Sequence, residues 1–184
     1  RGATSLDYAK NLVRNMERYD LYRLDDMTLE DFNSLVDEFV NPCPGSHITS
    51  LFVPRTAPTY GASQDHQGVD MGTSGKCIPT YAAAAGTVTF AGELGSAGNM
   101  VEIDHGNGIV TKYMHHSELY VVAGQQVAKG QQIGLTGSTG VSTGNHLHFQ
   151  IEINGVAKNP LNYLSFDELS QEYVGYGSEL QDEA

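Results

Sequence analysis

The sequence predicts a mainly β fold: an antiparallel β-sandwich or barrel-like domain preceded by a short α-helical segment. Three observations carry this. Of 21 glycines, 18 lie between residues 41 and 164, and none lies between 3 and 44. The apolar period is helical before Gly45 and close to two after it. The glycine-rich part breaks into short runs of Val, Ile, Thr and Tyr between turns, which is the composition of strands on a half-buried surface.

Residues 1–41 form the helical segment, a connector or brace. Leu6, Ala9, Leu12, Val13 and Met16 recur at helical steps with charges between them. A second helix starts at Thr28, a good N-cap, with Glu30 and Asp31 in the first turn, where the helix dipole favours acids. Leu29, Phe32, Leu35, Val36 and Phe39 give it an apolar stripe, and the run Asn41-Pro42-Cys43-Pro44-Gly45 ends it because proline cannot continue a helix. Residues 42–164 are the β domain. GTVTFAG, NMVEIDHGNG, GIVTKYMHH, QQIGLTG and HLHFQIEING read as its strands. Many short strands at close spacing indicate an antiparallel sandwich or barrel. Residues 165–184 are read as a short helix over 165–173 and an acidic tail.

The chain of 184 residues has a net charge of -12. Residues 1–40 hold five bases against nine acids, 41–164 five against seven, and 165–184 no base and six acids. That balance argues against nucleic acid or an anionic membrane as partner. No run of about 18 apolar residues exists to span a membrane, and the N-terminus lacks the layout of a secretory signal. Arg1 in place of an initiator methionine reads as a mature form or a fragment of a longer protein. Cys43 and Cys77 are not a CxxC pair, which excludes a four-cysteine zinc site.

The chemistry lies in the histidines. In HLHFQI at 146–151, alternation puts His146, His148 and Gln150 on one face of a strand, with Leu147, Phe149 and Ile151 pointing into a core. HxH alone is a weak signal. Upstream, His66-Gln67-Gly68-Val69-Asp70 is an HxxxD in which Gly68 permits a sharp backbone path. Catalytic zinc takes three protein ligands from imidazole and carboxylate and keeps one position for water. His66, Asp70 and one histidine of the HxH supply such a set, which leaves the other histidine beside the metal to handle protons. In Tyr113-Met114-His115-His116, alternation puts Tyr113 and His115 on a common face that could flank the same ion, with His116 exposed. His105, before an Asn-Gly turn, reads as a structural hydrogen-bonding residue.

Taken together, these runs resemble the lysostaphin-type, or LytM-like, zinc endopeptidases that cut peptide bonds in bacterial peptidoglycan. The matching stretches are HQGVD at 66–70, AAAAGTVTFAG at 82–92, GNMVEIDHGNGIVTKYMHHS at 98–117, VVAGQQVAKGQQIGLTGSTGVSTGNHLHFQI at 121–151 and NPLNYL at 159–164. They cover about residues 42–164. The resemblance implies one zinc per chain, with His66, Asp70 and His148 as metal ligands. It implies that His115 and His146 are the catalytic histidines that do not bind metal. We assign His115 as general base and His146 to orientation and oxyanion support, with exchange of roles open. Tyr60, six residues before His66, matches a family tyrosine held to stabilise the transition state.

The implied partners are peptidoglycan peptide stems and an upstream domain of a longer protein, with the chain itself a monomer. The implied location is extracellular or cell-wall associated, whether by secretion or by delivery from a phage or conjugation machine. An oxidising setting favours a Cys43–Cys77 disulfide over two free thiols. The chain departs from the family at Val53, where a glycine usually follows the phenylalanine, and at Gln150, where glutamate is frequent. Two other readings stand beside the enzyme. One is an inert scaffold or activator of the same fold. The other is a lipoyl- or biotinyl-type carrier, suggested by VVAGQQVAKGQQIG but lacking a Met-Lys turn.

Overall fold

The structure, a computed structural model, describes residues 39–52 and 66–164. The helices read over 1–41, the helix and tail of 165–184, and Tyr60 lie outside these residues apart from 39–41. Among the described residues eleven strands run in order: β1 His47–Ser50, β2 Val69–Gly72, β3 Pro79–Tyr81, β4 Gly86–Glu93, β5 Asn99–Gly106, β6 Ile109–His116, β7 Glu118–Leu119, β8 Gln126–Val127, β9 Gln132–Leu135, β10 His146–Ile153 and β11 Val156–Lys158. Every pairing is antiparallel. The large sheet has the order β1-β2-β10-β6-β5-β4-β8, with β11 beside the far half of β10. A second sheet has the order β3-β9-β7. The five runs read as strands are β4, β5, β6, β9 and β10.

Period-two alternation decides which face is buried. Val69 and Met71 of β2, Thr111 and Tyr113 of β6, and Leu147, Phe149 and Ile151 of β10 are fully buried. All of these but Thr111 join Val88, Val101 and Ile103 in one apolar core that also takes in Ile133 of the small sheet. Tyr113 packs on Phe149 with ring centroids 5.3 Å apart. Its hydroxyl accepts from Ala83 N at 2.8 Å, and burial pushes its pKa up to about 12. Phe39 also enters this core, edge-on to His105 and Tyr163. His105 Nδ1 donates to Ala85 O at 2.8 Å while Nε2 meets Thr111 Oγ1 at 2.7 Å, a structural arrangement.

Two expectations are corrected here. Cys43 and Cys77 are free: Cys43 is sealed in the core and Cys77 is exposed beside Asn145 Nδ2, so no disulfide joins them. Burial pushes the Cys43 thiol up to about 11. His116 is not exposed but fully buried. It links the two sheets through Thr80 Oγ1 at 2.9 Å and lies 3.2 Å from Asn99 O.

Burial pushes the pKa of His116 down to about 4. The unfolded chain takes up a proton near 6.5, which the folded chain refuses until near 4. Stability therefore falls as pH falls through that window, by up to about 3 kcal/mol. In His116→Gln, this part of the pH dependence is expected to vanish. Urea midpoints of both proteins between pH 4 and 7 check it, and parallel slopes would refute it.

Candidate metal centre

Three chain segments bring the site together on the face of the large sheet opposite the core. In β10, His146 and His148 share that face, and Leu147 between them is buried. β2 lies alongside, with Asp70 directly opposite His148 and Gly72 opposite His146. His66 stands four residues before Asp70, and its Nδ1 donates to Leu51 O at 2.7 Å.

His66 Nε2 lies 3.2 Å from Asp70 Oδ1 and 3.2 Å from His148 Nδ1, and His148 Nδ1 lies 2.9 Å from Asp70 Oδ1. Ligand atoms on a tetrahedral ion with bonds of about 2.0–2.1 Å are roughly 3.3 Å apart. The triangle therefore has the size of one face of such a polyhedron. The second nitrogens agree with this. A carbonyl can only accept, so the proton of neutral His66 sits on Nδ1 and leaves Nε2 a lone pair. Gln150 Nε2 donates to Glu152 Oε1 at 2.7 Å, which leaves Gln150 Oε1 toward His148 Nε2 at 3.4 Å. Glu152 in turn accepts from Lys112 Nζ at 2.7 Å. Three lone-pair atoms thus converge, an arrangement that a cation satisfies.

Protons compete for the same place. Burial acts to raise the pKa of Asp70, but when His148 Nδ1 and His66 Nε2 carry protons in place of a cation, their hydrogen bonds outweigh it and hold the carboxyl well below its usual range. The hydrogen bond to Asp70 raises the pKa of His66, against the effect of burial. Metal affinity should fall as these groups take up protons.

His115 joins the group by a route that strict alternation does not allow. Tyr113 pairs with Val101, yet His116 pairs with Asn99, so β6 carries one extra residue at this point. His115 takes it up with φ +69°. This β-bulge re-aims one side chain and restores the opposite phase afterwards. Tyr113 and His116 therefore face the core, while His115 reaches the site. Its ring lies 4.7 Å from that of His146 and 6.3 Å from that of His148. The expected common face of Tyr113 and His115 is corrected, and Tyr113 does not flank the cluster. Burial lowers the pKa of His115, against the hydrogen bond to Thr139 O. His146 Nε2 points toward the cluster, 3.6 Å from Asp70 Oδ1. Tyr60 lies outside the described residues.

Gly68 lies in a bend, as expected, and serves a second purpose. A Cβ there would lie 2.4 Å from Phe149 O and 2.7 Å from His148 Nε2. The Phe149 carbonyl and the His148 ring together occupy the space that any side chain would need. Gly68→Ala is expected to push the β10 backbone at Phe149 and tilt His148, lowering Tm and weakening metal binding by about 10–100-fold. Competition against a chromophoric chelator measures this, and wild-type affinity in the variant would count against the packing argument. Two further contributors, the carbonyls of Thr139 and Gly144, are invisible to sequence reasoning. Each accepts from a site histidine at 2.8 Å, and a backbone oxygen has no residue-type signature.

A family model described as "Peptidase family M23" matches residues 64–160. A metalloprotease of Haemophilus influenzae is 46% identical over 118 residues, covering 63% of this chain and 25% of that protein. The peptidoglycan DD-endopeptidase ShyA of Vibrio cholerae is 39% identical over 119 residues, covering 62% and 26%. Among solved structures, the antimicrobial peptidase lysostaphin from Staphylococcus simulans superposes with a TM-score of 0.55 at 31% identity, covering 64% of this chain and 48% of that one. The chain thus spans about a quarter of the length of these two relatives.

Proposed function

The chain belongs to peptidase family M23, and on that premise we propose that it is a zinc-dependent endopeptidase hydrolysing peptide cross-links or bridges of bacterial peptidoglycan. The observation that carries this reading is the convergence of His66 Nε2, Asp70 Oδ1 and His148 Nδ1 within 3.2 Å of one another, with His115 and His146 beside them. The similarity to a peptidoglycan DD-endopeptidase and to lysostaphin supports the substrate class.

In this reading, His66, Asp70 and His148 hold one zinc ion. When bound, zinc supplies Lewis acidity, which acidifies water and polarises a carbonyl. The rest is done by the chain. His115 donates from Nδ1 to Thr139 O at 2.8 Å, so its neutral form presents Nε2 as a base. Burial keeps that form populated at neutral pH. We assign His115 to take the proton of the attacking water and to return it to the leaving amine. His146 donates from Nδ1 to Gly144 O at 2.8 Å and also presents a bare Nε2. In its neutral form it accepts rather than donates, so oxyanion support from His146 requires the imidazolium. Tyr60 remains assigned to the transition state through the family resemblance.

The protein acts outside the membrane, at the cell wall, in this proposal. Among the described residues no helix is long and apolar enough to cross a membrane. In the same proposal, residues 1–41 serve either as a connector to an upstream domain of a longer protein or as a brace on the peptidase domain, which works as a monomer. Dye release from labelled sacculi tests the function. Release is expected with zinc-loaded protein, to stop with chelator and to return with added zinc. Release indifferent to chelation would contradict the metal mechanism, and no release from any wall type would favour the inert scaffold.

A further inference from the structure

We infer that Thr139 is a positioning residue that fixes His115 in the tautomer needed of a base. The segment 136–145 connects β9 to β10. Both histidines beside the metal cluster give their Nδ1 proton to this one loop: His115 to Thr139 O and His146 to Gly144 O, each at 2.8 Å. A carbonyl on Nδ1 fixes the lone pair on Nε2. The two imidazoles, 4.7 Å apart, therefore turn the same nitrogen to the site.

Such a carbonyl is useful only if the loop holds still, and Thr139 anchors it. Its hydroxyl donates to His116 O at 2.8 Å and accepts from Asn99 N at 3.0 Å. Those two residues are the pair that closes the bulge between β5 and β6. One side chain thus ties the loop to the irregularity that aims His115, while its own backbone oxygen takes the His115 proton. The loop also packs hard on the turn at 94–98. A Cβ on Gly98 would lie 2.4 Å from Thr139 C and Oγ1, and a Cβ on Gly140 would lie 2.4 Å from Gly98 N and Ser96 O. Both glycines have positive φ, +64° and +72°. Val141 N closes the contact by donating to Ser96 O at 2.9 Å. Thr139 touches neither substrate nor metal ligand in this scheme and acts through His115.

The inference rests on the proposed reading of His115 as proton acceptor, but its primary readout needs no turnover. Long-range proton–nitrogen correlation spectra of the ¹⁵N-labelled, zinc-loaded protein report which ring nitrogen of His115 carries hydrogen. Wild type is expected to show protonated Nδ1 and bare Nε2, and Thr139→Val a mixture of tautomers. In the valine variant kcat should fall by about 10–100-fold, with KM and zinc content unchanged, and Thr139→Ser should restore both tautomer and kcat. A structural role alone would lower Tm without moving the tautomer. Protonated Nε2 in wild type would overturn the inference whether or not the valine variant folds. So would a valine variant with the wild-type tautomer and kcat. Should no wall substrate be cleaved while His115 is still protonated at Nδ1, the functional reading fails and the clamp stands.

Discussion

In Asp70→Ala, bound metal is expected to fall from one per chain to a small fraction, and hydrolysis to fall by at least about 10³-fold. Asp70 Oδ1 is the point on which the cluster closes. His148 Nδ1 lies at 2.9 Å, His66 Nε2 at 3.2 Å and His146 Nε2 at 3.6 Å. It is also the anionic member of the set: where the two imidazoles carry protons toward it, their hydrogen bonds outweigh its burial and hold it well below the usual carboxylate range. Alanine removes a ligand atom and the charge together. Asp70→Asn separates the two, since the amide keeps an oxygen but loses the charge. Metal analysis after gel filtration, beside rates on sacculi, gives both quantities. Full metal content in the alanine protein would remove Asp70 from the ligand set.

His115→Ala is expected to show the complementary pattern: metal retained, kcat reduced by about 10²–10⁴-fold. His115 lies next to His146 and farther from His148, and its Nδ1 donates to the Thr139 carbonyl. Removing it takes a base and leaves the three ligand atoms in place. The pH profile carries the same information. Burial lowers the pKa of His115 below the ordinary imidazole value of about 6.5. Protonation removes the base, so kcat/KM should fall on the acid side with a midpoint below that value. The neutral form then dominates at pH 7. In the alanine variant this limb should be absent from the residual rate. Loss of zinc together with activity would make His115 part of the metal shell instead.

Much of this arrangement is legible in the residues. HLHFQI alternates strictly, so the chain reads as a strand with His146 and His148 on one face, and that is β10. The histidine–aspartate spacing of HQGVD is readable too, because both ends are polar and a glycine lies between. Pairing across the sheet is what sequence does not give: His148 faces Asp70 only because β2 and β10 are neighbours in a particular register. KYMHH misleads for a definite reason. Simple alternation puts His115 with Tyr113, and the extra residue of the bulge reverses that, sending His115 to the site and His116 to the core. Residue type does not announce a bulge at a histidine with φ +69°. Gly68 is readable as a place where the backbone bends, and it does bend there; that its space is also claimed by the neighbouring strand and a ring 80 positions away is not readable. The Cys43–Cys77 bridge followed from the compartment alone. The fold puts one thiol in the core and the other on the surface.

The bond that is cut remains the sharpest test. Purified sacculi of several wall types, digested with the zinc-loaded protein and resolved by mass spectrometry, report it. Products should differ from the intact cross-linked material by one water at a peptide bond, with glycan strands uncut. They should be absent with chelator and with Asp70→Ala. Glycan cleavage, or peptide products that persist in the chelated protein, would contradict a zinc endopeptidase built on His66, Asp70 and His148.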